Sequence, residues 1–281
     1  MLTGKGLLAG VMGWPVGHSR SPVLHGFWLN QYGIDGAYVP LAVSPDRIEQ
    51  AIRALPALGF MGCNVTVPHK EAAFQLVDHL HPVAKRIGAV NTIIVHADGT
   101  LEGRNTDAFG FWENLIAGAP VTWSAQMAPA VVLGAGGAAR AILIALLDEG
   151  APVIRLLNRT RARAEELAAE IGDPRLQVFD WTERDAALEG AGLLVNTTTQ
   201  GMDGHPPLEI NLSALPVSAL VTDIVYTPLT TPLLAVAAAR GNPVVDGLGM
   251  LLHQARPGFH AWFGVDPAVT DALRTHVLGS A

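Results

Sequence analysis

Three groups of residues have types and spacings that could do chemistry. The first is Val131-Val132-Leu133-Gly134-Ala135-Gly136-Gly137-Ala138-Ala139-Arg140, which reads as an apolar strand, then G-x-G-x-x-A, then a helix. The first glycine permits a tight turn, the second lets backbone approach a pyrophosphate, and Ala139 is small enough for close helix–strand packing. The free N–H groups that open such a helix, with their partial positive charge, suit phosphate oxygens. Gly134, Ala135, Gly136, Gly137 and Ala138 are therefore candidates for holding a dinucleotide.

The second group closes the next expected strand as Leu157-Asn158-Arg159-Thr160-Arg161-Ala162-Arg163. An NAD site usually places an acid here to bind the ribose 2′-hydroxyl. No acid is present. Asn158 and Thr160 stand beside three arginines, which would attract a 2′-phosphate dianion. That favours NADP(H) as cofactor, with Arg159 and Arg163 the candidate cations. Arg161 reads instead as part of a solvated helix face with Glu165, Glu166 and Glu170.

The third group is a set of polar residues at strand ends, where parallel sheets place their sites. Gly17-His18-Ser19-Arg20-Ser21-Pro22 joins a first strand to a first helix, with His18 read as structural. In Asn64-Val65-Thr66-Val67-Pro68-His69-Lys70 the alternation puts Asn64 and Thr66 on one side of a strand and Val65 and Val67 on the other. Lys70 then falls in a first helical turn, the unfavourable end of the macrodipole for a cation. Ala89-Val90-Asn91-Thr92 opens a strand, and Asn105-Thr106-Asp107 ends its hairpin partner; Asp107 could serve equally as a helix cap. Three further turns stand out: Asn196–Met202, Asp223–Pro228, and Gly247–Met250 ahead of His253 and Gln254.

Other chemistries are disfavoured. The ten histidines are scattered, there is no H-E-x-x-H, and the single cysteine, Cys63, rules out a thiolate cluster or an internal disulfide. No metal is expected. There is no G-x-S-x-G elbow. A net charge of −7 without a basic run argues against nucleic acid, and no apolar run approaches the ~20 residues of a membrane helix. The expectation is a cytoplasmic protein that acts on a small molecule.

The elements that must position these residues alternate as in βαβ units, so a largely parallel α/β architecture is expected. At 281 residues with 49% hydrophobic content, two domains with real cores are expected. Expected strands are Leu7–Met12, Ala37–Val43, Cys63–Val67, Asn91–His96 and Thr100–Arg104, the last two flanking an Ala97-Asp98-Gly99 hairpin turn. Further strands are expected at Ala130–Leu133, Val153–Leu157, Leu193–Asn196, Val217–Ile224 and Val244–Val245. Expected helices include Pro22–Tyr32 with Ser21 as N-cap, Pro45–Leu55, His69–Val77, Asp107–Ile116, Leu248–Phe263 and Pro267–Val277. The periodicity breaks at Gly118–Pro129, which marks a domain boundary near it. Periodicity leaves open which domain the last two helices join.

Taken together, His18–Pro22, Asn64–Lys70, Ala89–Thr92, Asn105–Asp107 with Gly110-Phe111, Gly134–Arg140, Asn158–Thr160, Asn196–Met202, Asp223 with Tyr226 and Pro228, and Gly247–Gln254 resemble the shikimate dehydrogenase family. They run in family order over nearly the whole chain. The resemblance implies reversible reduction of 3-dehydroshikimate to shikimate with NADPH, in aromatic amino acid biosynthesis. It implies that Lys70 and Asp107 are the catalytic pair, and that Ser19, Ser21, Asn64, Thr66, Asn91 and Gln254 bind the substrate. It assigns Thr197, Met202, Ile224, Tyr226, Gly247 and Met250 to the cofactor beside the glycine loop. It implies an N-terminal α/β substrate domain plus a Rossmann-type NADP-binding domain, with the C-terminal helices returning to the first domain. The domains expected are thus 1–107 with 248–281, and 108–247. A homodimer is compatible with the sequence.

Two positions depart from the family: Arg20 stands where an apolar residue is common, and Thr197-Thr198-Thr199 replaces a more usual Ala-Thr-Ser. A related branch acts on quinate as well as shikimate, often with NAD, and often lacks one of the two serines or the Asn-Arg-Thr cluster. This chain keeps both features, which favours shikimate over that broader specificity.

Overall fold

Short apolar strands alternate with helices throughout the chain. The computed structural model, which describes residues 2–279, arranges them as two units. One runs up to Thr106 and resumes at Leu252; the other is Asp107–Leu251.

The first unit opens with β1 (Leu7–Gly13), α1 (Ser21–Gln31), β2 (Gly36–Ala42), α2 (Ile48–Ala54), β3 (Phe60–Val65) and α3 (Lys70–Leu76). It continues with β4 (His79–Leu80), α4 (Pro82–Ile87), β5 (Thr92–Val95) and β6 (Leu101–Arg104). The sheet order is β2-β1-β3-β5-β6-β4. β1 pairs in parallel with β2 and β3, and β4 with β6, while β5 runs antiparallel to β3 and β6, so this sheet is largely parallel with one reversed strand. The β5–β6 turn is the expected hairpin: Asp98 Oδ1 accepts from Thr100 N at 3.0 Å, and Gly99 takes φ +85°. A core of Met12, Ile52, Leu55, Val65, Val90, Ile93 and Leu101 lies under this sheet.

Three local expectations are corrected here. Ser21 begins α1 instead of capping it: Arg20 is already in the helical region and its carbonyl accepts from Leu24 N at 3.1 Å. The N-cap is Arg20, and the Ser19 hydroxyl just ahead of it accepts from Ser21 N at 3.3 Å. β3 stops at Val65, because Thr66 leaves the strand into a turn closed by His69 N to Thr66 O at 2.9 Å. Val65 is therefore buried and Val67 is 70% exposed, so the alternation does not carry through to Thr66 and Val67. The stretch read as one helix from Pro45 is a 3₁₀ turn, Pro45–Arg47, followed by α2.

The second unit contains α5 (Asp107–Gly118), β7 (Ala130–Leu133), α6 (Gly137–Asp148), β8 (Ile154–Leu157), α7 (Arg161–Ile171) and β9 (Leu176–Phe179). It ends with β10 (Leu193–Asn196), β11 (Leu220–Asp223), α8 (Pro232–Ala239) and β12 (Val244–Val245). Its sheet is parallel throughout, in the order β12-β11-β10-β7-β8-β9. Counted within the unit, this is the 3-2-1-4-5-6 order of a Rossmann sheet, which reverses between β7 and β10. Its inner strands β7, β10 and β11 are buried along their whole length, which explains the apolar run of β7 and the apolar starts of β10 and β11. The Gly118–Pro129 segment lies inside this unit. α5 packs on α6, Asn114 Nδ2 donates to Asp246 O at 2.7 Å, and Trp123 Nε1 donates to Gly192 O at 3.0 Å. The division thus falls ahead of α5.

α9 (Leu248–Phe263) leads out of the second unit, and from Leu252 onward the chain belongs to the first. There α10 (Asp271–Gly279) packs on α1. α10 starts later than Pro267 because Thr270 caps it, its Oγ1 accepting from Leu273 N at 3.2 Å. Trp262 Nε1 donates to Ile93 O at 3.0 Å and Trp28 Nε1 to Ala268 O at 3.1 Å, so both buried indoles are satisfied while their rings fill the core.

Candidate active site

In the first unit the polar strand ends form one continuous row of hydrogen bonds. Tyr38 on β2 donates its hydroxyl to Asn64 Oδ1 at 2.6 Å. Asn64 Nδ2 donates to Asn91 O at 3.1 Å and to Thr92 Oγ1 at 3.0 Å. Thr92 Oγ1 donates onward to Asn91 Oδ1 at 2.9 Å, which also receives Thr106 N at 2.9 Å. Asn91 Nδ2 donates to Thr106 Oγ1 at 3.0 Å, and that hydroxyl reaches Gln254 Oε1 on α9 at 3.4 Å. Asn64, Asn91, Thr92 and Thr106 are all buried. Such a network specifies a geometry because each group left unpaired would cost ~1–3 kcal/mol.

Of the expected substrate residues, the row brings Asn64, Asn91 and Gln254 together. Burial pushes the Tyr38 hydroxyl well above the ordinary phenol range, so it stays a neutral donor. Ser21, buried at the start of α1, lies near enough to that hydroxyl to lower its pKa against this push. Ser19 supports Ser21 as described, and Arg20 between them donates from Nη1 to Val277 O at 3.1 Å, at the C-terminal end of α10 where a cation is favoured. Thr66 is half-buried beside Gly13, where a Cβ would lie 2.6 Å from Thr66 Cγ2; this close approach explains the glycine. Tyr38 carried no signal in the sequence, because an aromatic on a strand reads as core. Thr92 and Thr106 lay inside the quoted motifs without a role.

Behind Tyr38 the His25 ring stacks face to face, centroids 3.9 Å apart and planes within 1°. Trp28, Phe259 and Trp262 surround it, and neither ring nitrogen has a hydrogen-bond partner. Burial pushes its pKa down to about 3, so the ring is neutral. His69, the residue before α3, is committed to structure: Nε2 meets Val43 O at 2.7 Å. Lys70 follows as the first residue of α3, half-buried. Asp107, directly after Thr106, is buried as the first residue of α5, at the end favourable to an acid.

In the second unit the glycine loop has the geometry a dinucleotide requires. Gly134 takes φ +108°, and a Cβ there would lie 2.4 Å from Thr197 Oγ1, so only glycine fits. Thr197 Oγ1 donates to Leu133 O at 2.7 Å, fixing the β10 end beside the loop, at the point where the strand order reverses. No side chain caps α6, and no atom stands within 4 Å of a Cβ placed on Gly136 or Gly137, which leaves the helix N-terminus suited to phosphates. Asn158 links loop to strand end: Oδ1 accepts from Ala135 N at 3.2 Å and Nδ2 donates to Thr160 O at 2.8 Å. Arg161 pairs with Glu165 and Arg140 with Glu170. Among the described residues, Arg159 and Arg163 are exposed and have no carboxylate partner. The residues present therefore fit a phosphorylated dinucleotide. Met202, Ile224, Tyr226 and Met250 are half-buried at the ends of the neighbouring segments, and Gly247 is buried against the Ile224 carbonyl.

The fold and these strand ends define a nicotinamide-dinucleotide oxidoreductase with a second unit for a small hydroxylated substrate. Known sequences and structures narrow the class. Residues 11–93 match the shikimate dehydrogenase substrate binding domain, and residues 119–202 match shikimate / quinate 5-dehydrogenase. Over 277 residues the chain is 65% identical to the shikimate dehydrogenase (NADP(+)) of Paramagnetospirillum magneticum, covering 99% of this chain and 100% of that protein. Among solved structures, it is similar to shikimate 5-dehydrogenase from Thermus thermophilus in complex with NADP(H) and shikimate. That match has 36% identity and a TM-score of 0.86, over 98% of this chain and 100% of the other. It is also similar to quinate dehydrogenase from Corynebacterium glutamicum in complex with NAD, at 31% identity and a TM-score of 0.90, over 98% and 99% of the two chains. The chain belongs to the shikimate dehydrogenase family.

Proposed function

We infer that this enzyme catalyses the reversible, NADPH-dependent reduction of 3-dehydroshikimate to shikimate, a step of aromatic amino acid biosynthesis. The observation that carries the reading is the row from Tyr38 to Gln254, which pre-orients three amides and several hydroxyls suited to a polyhydroxylated acid. Ser19, Ser21, Asn64, Thr66, Asn91 and Gln254 are assigned to the substrate's carboxylate and hydroxyls. Gly134–Ala138 and the α6 N-terminus are assigned to the pyrophosphate, and Asn158, Arg159, Thr160 and Arg163 to the 2′-phosphate. Thr197, Met202, Ile224, Tyr226, Gly247 and Met250 are assigned to the remainder of the cofactor. When bound, NADPH supplies a hydride to the substrate's carbonyl carbon.

Negative charge then builds on the carbonyl oxygen, which needs a proton and a nearby positive charge. Lys70 is assigned to deliver that proton from Nζ, and the Asp107 carboxylate to orient the ammonium and accept from the substrate hydroxyl. In the oxidative direction the same groups take the proton back. The compartment we propose is the cytoplasm, which the free, buried thiol of Cys63 suits; among the described residues no helix is long and apolar enough to cross a membrane. The assembly we propose is a homodimer, checked by sedimentation.

The deciding assay follows NADP⁺ reduction by absorbance, with shikimate and with quinate as substrates. Shikimate should give the higher kcat/KM with NADP⁺, and quinate or NAD⁺ a small fraction of it. Equal turnover of quinate and shikimate would replace this reading with the broader quinate/shikimate specificity.

A further inference from the structure

Asp223 ends β11 with no exposed surface, and none of the roles assigned above uses its carboxylate. Oδ1 accepts from Asn196 Nδ2 at 3.0 Å and from Val225 N at 3.0 Å, and Oδ2 accepts from Thr231 Oγ1 at 2.7 Å. Burial pushes the Asp223 carboxyl above the ordinary carboxylate range, while the bonds from Thr231, Val225 and Asn196 pull it back. A buried carboxylate with several donors is costly to keep and stiff once satisfied, so its partners are held in place.

Those partners lie on different segments. Asn196 is the last residue of β10, in register with Asp223. Its own amide is divided, since Oδ1 accepts from Thr198 N at 3.0 Å and Oγ1 at 2.7 Å while Nδ2 also reaches Gln200 O at 3.2 Å. Val225 lies in the segment after β11, next to Ile224. Thr231 caps α8, its Oγ1 accepting from Leu234 N at 3.4 Å. Asp203 N to Thr227 O at 2.9 Å ties the two segments again. The β12 end closes on the same point, since a Cβ on Gly247 would lie 2.7 Å from Asp223 O. One carboxylate thus fixes the segment carrying Thr197 and Met202 relative to the segment carrying Ile224 and Tyr226.

The sheet order says which part of the cofactor these segments meet. The 2′-phosphate is assigned to the β8 end and the pyrophosphate to α6 after β7. The other half of an extended dinucleotide must then cross the reversal point toward β10 and β11. We propose that Asp223 is a positioning residue for the nicotinamide end of the cofactor, acting through Asn196 and Thr231 on the segments that hold the ring. This rests on the cofactor assignment above.

The test compares Asp223→Asn, Thr231→Val, Thr231→Ser and Arg159→Ala, all as full-length enzyme below their unfolding midpoints. Steady-state constants are measured together with the primary isotope effect on kcat, using shikimate deuterated at the carbinol carbon. Asp223→Asn keeps the side-chain shape but puts an NH₂ among groups that donate. It should lower kcat by about 10–100-fold, as expected for a reacting centre misplaced by about an ångström, and raise the isotope effect. KM for shikimate should stay within about threefold. Thr231→Val should move the same quantities in the same direction by less, and Thr231→Ser should restore them. A merely structural role would lower the unfolding midpoint and leave the isotope effect alone. If Asp223→Asn does not fold, the two Thr231 variants decide. Wild-type kcat and isotope effect in folded Asp223→Asn or Thr231→Val, with KM for NADP⁺ raised in Arg159→Ala, would overturn the role of Asp223 alone. An unchanged Arg159→Ala as well would overturn the cofactor assignment on which it stands.

Discussion

Tyr38 and Asn64 meet through a 2.6 Å hydrogen bond that decides which way the Asn64 amide faces. With Oδ1 held by the phenol, Nδ2 is turned toward Asn91 O and Thr92 Oγ1, and the order of donors down to Gln254 follows. Tyr38→Phe keeps the ring and its stack on His25 but leaves a buried acceptor unpaired, which costs ~1–3 kcal/mol. The variant should unfold at lower urea and show a raised KM for shikimate, with KM for NADP⁺ unchanged. An unaltered shikimate KM in the folded variant would detach Tyr38 from substrate binding.

Cofactor choice should rest on Arg159, exposed beside an acid-free strand end. Arg159→Ala should raise KM for NADP⁺ about tenfold or more, the loss of a charge-assisted bond of ~1.5–3 kcal/mol, and leave NAD⁺ kinetics nearly as they were. Equal losses with the two cofactors would make Arg159 a structural residue.

Lys70 and Asp107 should behave as one catalytic group. Lys70→Ala and Asp107→Ala should each lower kcat by ~10²–10⁴-fold with smaller changes in substrate KM. The double variant should be little worse than the worse single one. Multiplying losses would show that they act independently. With His69 Nε2 engaged by Val43 O, Tyr226 is the next candidate proton source if Lys70→Ala keeps its kcat.

His25 should make the enzyme acid-sensitive. The native ring resists protonation down to about pH 3, whereas the unfolded chain takes up that proton near pH 6.5. Between those values the unfolded state binds more protons, so stability rises with pH across the window and is lost as pH falls through it. At ~1.4 kcal/mol per pH unit, acidification from pH 7 to 5 should cost about 2 kcal/mol through this residue. His25→Phe keeps a ring against Tyr38 and should remove most of that difference in urea denaturation at the two pH values. An equal acid loss in the variant would place the sensitivity elsewhere.

How much of this could be read in advance differs between the two units. In the second unit the inner strands are buried on both faces and the glycine loop has a positional grammar, so β7, α6, β8 and β10 stood out nearly to the residue. β9 did not, because Leu176–Phe179 alternates only weakly and lies at the sheet edge. In the first unit Asn64 and Asn91 were legible as polar strand ends. The bonds joining them were not, since they link residues 15 to 28 positions apart through Thr92 and Thr106. The end of β3 was misplaced for a related reason: Val67 looks like a strand residue, and only the turn at Thr66–His69 turns it outward. Arg20, a departure from the family pattern, found its explanation in Val277, far along the chain.

That last partnership has a consequence for how the protein is made. Phe259 and Trp262, which wall in His25, and Val277, which receives Arg20, all leave the ribosome after the whole of Asp107–Leu251. The nucleotide unit is contiguous and can fold as soon as it emerges, since domains fold as units during synthesis. The unit begun first is therefore completed last, and until then Trp28 and His25 lack their cover. Nascent chains stalled at the point where Leu251 has just left the ribosome should be protease-resistant across Asp107–Leu251 and cleavable within the preceding strands and helices. The core begun by β1 and α1 closes only once α9 and α10 have joined it.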